Sequence, residues 1–237
     1  MTSAEVAAAW ATVSDAVAAH ATMVPPAFSP SVWEDVAAGH VARVGDDAAT
    51  GRVVAVGILP VPRPMAWLAL TDDHLSDNVS SLTEVALYGA WAGSKTLYQR
   101  LDLPWPVNDR HWVIDLRNNA VLAAFGVWER AWTVDASLLA TARKHTDREA
   151  FDAAEAITTN EGNWLLVALD TRDTLAVYQA RVQLGGALPD GAVEAFTRGQ
   201  VNGLYAGITK GARGMPARYG AGCHPQPSPD GTPIPCL

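Results

Sequence analysis

The sequence has few positive charges. Lys and Arg number 17 against 25 for Asp and Glu, so the formal net charge is -8 at pH 7 with neutral histidines. A nucleic-acid-binding protein neutralises phosphates with clustered Lys and Arg, yet the longest basic run here spans only residues 143–145. We therefore expect no nucleic-acid partner and little attraction to an anionic membrane surface.

The sequence also shows no secretory leader and no membrane-spanning run. No Lys or Arg precedes Arg43, so the positively charged start of a signal peptide is missing. The Ala-rich segment 4–24 contains Glu5, Asp15 and His20, which make it too polar to cross a bilayer. We expect a soluble, cytoplasmic protein.

Cysteine is scarce, since Cys223 and Cys236 are the only two. Neither belongs to a Cys-x-x-Cys motif or a Cys/His cluster, so we expect no zinc site. Oxidation of the pair would close a loop and stabilise the fold by about 3 kcal/mol on the chain-entropy model. Because a reducing cytosol keeps thiols reduced, we expect both to be free.

Catalytic motifs are missing as well. The 6 histidines are scattered, and no metalloprotease, serine-hydrolase or phosphate-loop motif occurs. Asp72, Asp73, His74 and Asp77 lie close together, but such polar clusters are usually solvated turns rather than metal sites. The sequence therefore indicates neither an enzyme, nor a cofactor, nor a metal.

Apolar residues are plentiful, at 49% of the 237 residues. This composition suits one large domain with appendages and a sizeable core. Helical periodicity predicts a first helix over residues 3–20, and proline-opened and terminal helices follow near 60–73 and 190–210. Strand-like segments lie at residues 40–45, 52–59, 80–89, 94–103, 110–117, 123–134, 163–170 and 174–184. Strands flanked by helices predict an α+β fold with an antiparallel sheet.

Strand alternation predicts which side chains face the core. Between residues 110 and 117, Trp112, Ile114 and Leu116 share the apolar face, and His111 lies on the polar, exposed one. On neighbouring strands, Leu97, Gln99 and Tyr178 belong to apolar faces. The segment 101–112, LDLPWPVNDRHW, forms a corner between two strands. Its prolines end one strand, residues 108–109 make the turn, and Trp112 points inward.

The last helix has glycine at every fourth position, at residues 199, 203, 207 and 211. Each glycine costs a helix about 1 kcal/mol relative to alanine, so four of them need a reason. Two interpretations stay open: close packing of the helix on the sheet, or space left for a ligand. Nearby Arg, Gln, Asn and Lys residues exclude a membrane dimer motif.

Three phrases in this order resemble the START domain (steroidogenic acute regulatory protein-related lipid transfer) of the helix-grip superfamily. They are PVPRPMAWLALTD at 60–72, YQRLDLPWPVNDRHWV at 98–113 and VYQARVQLGGALP at 177–189. Residues 50–210 carry the resemblance. His111 replaces the usual Asp, and Gln183 and Leu184 replace an Asp-Pro pair.

The resemblance implies a curved antiparallel sheet wrapped around a long C-terminal helix, with an internal hydrophobic cavity between them. Together with the helical periodicity at the start and the prolines at the end, it predicts residues 1–30 as an N-terminal helix and Pro-rich connection, 31–213 as the START-like ligand-binding domain, and 214–237 as a Pro-rich tail. The implied ligand is a lipid, a sterol or another apolar small molecule, with transient membrane contact during exchange. The residues expected to contact it are Leu97, Gln99, Trp112, Ile114, Leu116, Arg130, Trp132, Tyr178, Phe196, Gln200, Gly203 and Leu204.

Two of these residues have alternative interpretations. Leu116 stands where the family often has a cavity arginine, so Gln99 is a substitute polar contact or a structurally satisfied amide. Arg130 either stacks on tryptophans at the outer surface or is a cavity cation that meets an acidic head group.

Three hypotheses for the function remain open. The first is a non-enzymatic carrier of an apolar ligand, stabilised by buried apolar area. The second is a helix-grip enzyme such as a polyketide aromatase/cyclase, which would need a titratable pair in the cavity. The third is a structural or signalling module whose cavity is filled by tryptophans. No oligomeric state follows from the sequence.

Overall fold

The strand-like segments build one large sheet. The computed structural model describes residues 1–45, 51–72, 81–89, 95–183, 185 and 192–237, and of residues 192–200 the backbone alone. Within these ranges nine strands form the sheet: β1 (Ala42–Arg43), β2 (Arg52–Leu59), β3 (Leu82–Gly89), β4 (Lys95–Leu101), β5 (Arg110–Asn118), β6 (Val127–Val134), β7 (Glu155–Ala156), β8 (Thr159–Ala168) and β9 (Thr174–Gln183). Their order in the sheet is β1-β2-β9-β8-β6-β5-β4-β3, and β7 is parallel to the start of β5. The expected α+β class is confirmed.

The helices differ from the expected ones at the chain ends. They are α1 (Ser3–Ala11), α2 (Ser14–His20), α3 (Pro30–Ala37), α4 (Arg63–Thr71), α5 (Ala120–Ala123), α6 (Leu139–Ala142), α7 (Arg148–Ala153) and α8 (Ala192–Arg218). The single helix expected over 3–20 is two helices. The terminal helix continues eight residues beyond the expected end at 210, to Arg218. The short helices α5 to α7 span too few residues for a periodicity signal to detect.

Helix α8 lies against one face of the sheet, which we call the inner face. Its buried stripe consists of Val201, Tyr205, Ile208, Ala212 and Met215, at the spacing of one helix side. The Tyr205 hydroxyl donates to the carbonyl oxygens of two strands, at 3.1 Å for Ala55 and 2.9 Å for Ala176. These contacts hold the helix to β2 and β9.

The opposite, outer face is covered in two parts. Helices α1 to α3 pack on β2, β8 and β9 through Val6, Val17 and Val36, which are almost fully buried. The buried carboxylate of Glu129 accepts a hydrogen bond from the backbone N–H of Thr22 at 2.9 Å, so it anchors the chain after α2. The N-terminal helices therefore share a core with the sheet.

The second part of the outer face corrects the expectation for His111. This side chain is buried, and its ring centroid lies 4.3 Å from that of Phe151 in α7. Tyr98 and Val113 belong to the same cluster, which is covered by the connection between β6 and β7. Alternation along β5 places His111 on the polar face of the strand, yet packing against residues distant in sequence buries that face. The charged segment 140–152 supplies much of the cover.

The corner at 101–112 turns earlier than expected. The Val107 N–H donates to the Pro104 carbonyl oxygen at 3.1 Å, so the turn centres on residues 105–106. Asp109 instead accepts a hydrogen bond from the Leu103 N–H at 3.0 Å and closes the base of the corner. Trp105 projects outward and is 93% exposed.

The C-terminal residues are ordered against the fold, and their cysteines are joined. Strands β10 (Gln226–Pro227) and β11 (Pro233–Ile234) form a small hairpin, and Ile234 enters the inner core. Because the hairpin turns the chain back, Cys223 and Cys236 come within 5.9 Å between Cα atoms and form a disulfide. The expectation of free thiols, which depended on the assumed compartment, is wrong for this structure.

Candidate ligand-binding site

The strand register brings most of the expected residues onto the inner face. Leu97 pairs with Ile114, Gln99 with Trp112, and Leu116 with Trp132. The apolar members of these pairs are buried together in the core beneath α8. The sheet therefore gathers these side chains under the helix, although their strands are separated in sequence.

Gln99 bridges two neighbours on this face. Its Oε1 accepts a hydrogen bond from Trp112 Nε1 at 2.8 Å, and its Nε2 donates to a carboxylate oxygen of Glu84. Glu84 was not considered from the sequence, although it pairs directly with Gln99 across β3 and β4. Both ends of the amide are thus occupied, as expected for a satisfied amide.

Arg130 is a buried cation on the inner face. It is 2% exposed, and its Nη1 donates to Asn118 Oδ1 at 2.6 Å. Burial lowers the pKa of Arg130 to about 10, and the charge of Glu84 opposes that shift. The tryptophan stack that was the alternative for Arg130 is made by Arg63, whose guanidinium lies 4.3 Å from the Trp128 ring.

Lys95 is a second inner-face cation, which the sequence analysis missed. It has the same strand parity as Leu97 and Gln99, and this parity is the signal that could have found it. The side chain is 5% exposed. Burial first, and then repulsion from Arg130, lower the pKa of Lys95 to about 8, while Asp72 acts in the opposite direction.

An aromatic cluster occupies the inner face between β6 and α8. The Tyr178 ring lies 4.8 Å from Trp164 and 5.9 Å from Trp132, and Trp164 lies 5.2 Å from Tyr205. Trp132 Nε1 also donates to Asn160 Oδ1 at 2.8 Å. Burial raises the pKa of Tyr178 far above its ordinary value, so its hydroxyl stays protonated.

The remaining expected residues lie on α8, and the structure corrects one of them. Gly203 is exposed, with open space where a Cβ would stand, whereas Leu204 is half-buried against the inner core. Glycines four apart advance about 40° per step around a helix of 3.6 residues per turn. The four therefore do not share one side: Gly207 and Gly211 are buried, and Gly203 faces solvent. The side chains of Phe196 and Gln200 lie outside the described residues.

A pocket of about 240 Å³ opens between α4 and α8. Small-molecule sites usually measure about 300–1,000 Å³, so this pocket alone is smaller than a lipid needs. Asp72 at its wall accepts hydrogen bonds from Arg218 Nη1 and the Tyr219 hydroxyl, each at 3.2 Å. The pocket is lined by Ala69, Asp72, Lys210, Gly211, Gly214, Met215 and Arg218.

The described ranges contain neither a metal-binding cluster nor a helix that could cross a membrane. No group of three or more His, Cys, Asp or Glu side chains there could hold a metal ion. Asp73, His74 and Asp77 of the polar cluster lie outside those ranges. Among the described helices, none is both long enough and apolar enough to cross a membrane.

Comparison with known proteins identifies the fold. No protein-family model matches the chain, and no curated protein matches its sequence. Among solved structures it is similar to a fragment of the STAR-related lipid transfer protein from Xanthomonas axonopodis, at 16% identity and a TM-score of 0.55, over 73% of this chain and 98% of that one. Human STARD10 is similar at 13% identity and a TM-score of 0.54, over 76% of each chain. Human StAR-related lipid transfer protein 5 is similar at 13% identity and a TM-score of 0.52, over 87% of this chain and 97% of that one. At these identities the likeness shows the fold, and the chain has the START-type helix-grip fold.

Proposed function

We propose that the protein binds a lipid, a sterol or another apolar small molecule between the inner face and α8, and transfers it between membranes. The site lies within residues 31–213. Its contacts are Leu97, Gln99, Trp112, Ile114, Leu116, Arg130, Trp132, Tyr178 and Leu204, with Phe196 and Gln200 as further candidates. Gly203 is not among them, because it faces solvent.

The observation that carries the proposal is the half-buried state of Tyr178. Tyr178 pairs with Ala55 of β2 on one side and with Trp164 of β8 on the other, so it lies inside the sheet rather than at its edge. Helix α8 covers the same face. A side chain in that position keeps accessible surface only where helix and sheet do not touch, and such a space lined by apolar side chains favours an apolar ligand.

Transfer between membranes requires a contact with the bilayer, and Trp105 is the side chain we assign to it. It is 93% exposed and lies between two prolines at the corner. Tryptophan prefers the membrane–water interface, where its ring is half in the apolar phase. Replacing Trp105 by Ala should slow exchange between vesicles without weakening ligand binding.

Native mass spectrometry of the purified protein, followed by organic extraction, tests the binding proposal directly. We expect a co-purified apolar molecule, or stoichiometric uptake of a fluorescent lipid such as an NBD-labelled fatty acid. An empty protein that takes up none of a panel of lipids and sterols would contradict the proposal. A Leu116→Trp variant, which fills the inner face, should reduce uptake, whereas the exposed Tyr88→Trp is the matched control.

An enzyme acting on an apolar substrate in the same space is the second candidate. The observation that favours it is Lys95, because an inner-face amine with a pKa of about 8 can exchange protons near neutral pH. A cyclase of this kind would convert a poly-ketone substrate in a Lys95-dependent manner. Product formation that survives Lys95→Met would assign the chemistry to another residue, whereas no turnover at all would favour the carrier.

A further inference from the structure

Arg130 is enclosed by the protein without a full set of partners. Its Nη1 donates to Asn118, but its Nε has no hydrogen-bond partner. Among the described residues, no carboxylate lies within salt-bridge distance of its guanidinium. Burying a charge is unfavourable unless it is paired, so the arrangement lacks an anion.

Burial distinguishes Arg130 from the other arginines with an unpartnered Nε. Arg43, Arg52 and Arg63 share that feature, but all three are half-buried, and their side chains can reach water. Arg130 is 2% exposed and lies on the inner face, where its neighbour Asn118 has the strand parity of Leu116. Bulk water therefore cannot supply the missing hydrogen bonds of the Arg130 guanidinium, as it can for an arginine at the surface.

The register places Lys95 beside Arg130. Arg130 pairs with Asn118 on one side of β5, and Lys95 pairs with Leu116 on the other side. Since neighbouring strands lie about 4.8 Å apart and Arg130 is offset by two residues from the position opposite Lys95, their backbones are separated by about 12 Å. Two long side chains that leave the same face at that distance can both reach one small group between them.

Among the described residues, the acidic groups that act on these cations are Asp72 and Glu84, and both have other partners. Asp72 accepts hydrogen bonds from Arg218 and Tyr219, and Glu84 accepts one from Gln99. Asp72 acts electrostatically on Lys95, and Glu84 acts on Arg130. Among the described ion pairs, however, neither carboxylate lies within 4.0 Å of the Arg130 guanidinium. The anion that would complete Arg130 must come from outside the described protein.

We propose that the ligand is an anionic amphiphile whose oxygen-acid group, a carboxylate or a phosphate monoester, is bound by Arg130 beside Lys95 while its apolar tail lies along the inner face. This inference rests on the proposed function and narrows its ligand class. Arginine suits such a group, because its planar N–H donors match the paired oxygens of a carboxylate or phosphate. Lys95 contributes a second positive charge rather than a fixed geometry.

Ligands that share one oleoyl tail and differ only in the head group test this inference. Oleic acid and oleoyl lysophosphatidic acid carry the anion, whereas oleyl alcohol and 1-oleoylglycerol are neutral. Displacement of a bound fluorescent fatty acid should show the anionic ligands binding at least about tenfold more tightly than the neutral ones. The ratio between the two anionic ligands reports which acid group the site prefers.

Matched variants locate the preference. Arg130→Gln should bring anionic and neutral ligands to within about twofold of each other, while Arg130→Lys, which keeps the charge, should retain part of the difference. Arg117→Gln is the control, because Arg117 is exposed on the same sheet. Lys95→Gln should reduce the preference, and its control is the exposed Lys144→Gln.

The outcomes separate the two proposals. If the wild-type protein binds neutral and anionic ligands equally, or if Arg130→Gln folds and keeps the preference, the anion site is wrong and the carrier function stands. If no ligand with this tail binds and none co-purifies, the carrier function itself fails. The wild-type comparison needs no variant, so a poorly folding Arg130→Gln protein does not remove the test.

Discussion

Lys95 and Arg130 leave the same face of the sheet from the two strands that flank β5, and each lies within reach of the other's charge. Burial, and then repulsion between the two cations, favour loss of a proton from the more acidic of them, the ammonium of Lys95. Arg130 remains charged, since its pKa of about 10 lies above physiological pH. The combined positive charge of Lys95 and Arg130 therefore decreases at mildly alkaline pH, when Lys95 loses its proton.

The affinity for an anionic ligand should fall as the pH rises through about 8. Lys95 is protonated below that value, so its charge then assists binding, and the charge is lost above it. Oleate stays ionised over this range. We expect an affinity loss of about tenfold between pH 7 and pH 9, measured by titration with oleic acid at constant ionic strength.

Lys95→Gln supplies the control for this pH dependence. Asp72 at the end of α4 acts on Lys95, and Glu84 of β3 acts on Arg130. Asp72 is itself paired with Arg218 of α8. Without the amine, the profile should be nearly flat between pH 7 and 9. A variant that keeps the full pH dependence would assign the titration to another group.

The same pKa shift makes a prediction for the stability of the protein without ligand. The unfolded chain keeps Lys95 protonated up to about pH 10.5, whereas the folded protein releases the proton near 8. Between these values the unfolded state binds more protons, so this group makes the free energy of unfolding rise with pH. Urea unfolding of wild type and Lys95→Gln at pH 7.5 and 9.5 measures the difference between their free energies of unfolding. This difference should shift in favour of wild type at the higher pH.

Tyr205→Phe should loosen α8 from the sheet. The change removes the hydroxyl that donates to the Ala55 and Ala176 carbonyl oxygens in the buried core. Leaving these acceptors without that donor should lower the free energy of unfolding by about 1–3 kcal/mol. Tyr88→Phe, at an exposed position, should change it little. Equal urea midpoints for wild type and Tyr205→Phe would show that the hydroxyl does not hold the helix.

Two glycine-to-alanine variants should have opposite effects. At Gly57 a Cβ would lie 2.9 Å from Tyr205 Cε1 and 3.2 Å from Val41 Cγ2, so alanine should destabilise by about 1–3 kcal/mol. At Gly203 nothing lies within 4 Å, and alanine should stabilise α8 by about 1 kcal/mol and leave ligand binding unchanged. Thermal unfolding compares the two. A loss of binding in Gly203→Ala would return that glycine to the site.

Reduction of the disulfide should destabilise the C-terminal end. Cys223 and Cys236 close a loop with a sequence separation of 13, which corresponds to about 3 kcal/mol on the chain-entropy model. The hairpin they secure also accepts a hydrogen bond from Trp67 Nε1 at the Pro227 carbonyl oxygen, at 3.2 Å. Dithiothreitol should therefore lower the melting temperature of wild type but not of a Cys223→Ser/Cys236→Ser variant. A wild-type melting temperature that does not change with dithiothreitol would indicate that the two cysteines are free thiols.

Local pattern was sufficient to predict the inner face. Alternation along β5 assigned Trp112, Ile114 and Leu116 to the covered side because side chains in a strand alternate between two faces. The resemblance carried by the three phrases predicted the helix-grip fold, and the similar solved structures confirm that fold. These features depend on residues close together in the chain, or on their order along it.

Other features depend on contacts between segments that are distant in the chain, and the sequence alone did not predict these contacts. His111 has polar alternation, but α7 packs over it from forty residues away and buries it. Gly203 has the same spacing as Gly207 and Gly211, yet the position of α8 on the sheet turns it to solvent. The cysteines meet because the terminal hairpin folds back.

The sequence by itself determined the strand faces, the fold class and the apolar character of the inner face, because all three follow from the periodicity and order of side chains. Only the tertiary structure decided that Arg130 is buried and facing inward, that Lys95 lies near it across β5, and that Trp128 stacks on Arg63 instead. Charge interactions act through space, so a pair separated by thirty-five positions acquires its chemistry only when the register of β4, β5 and β6 is set.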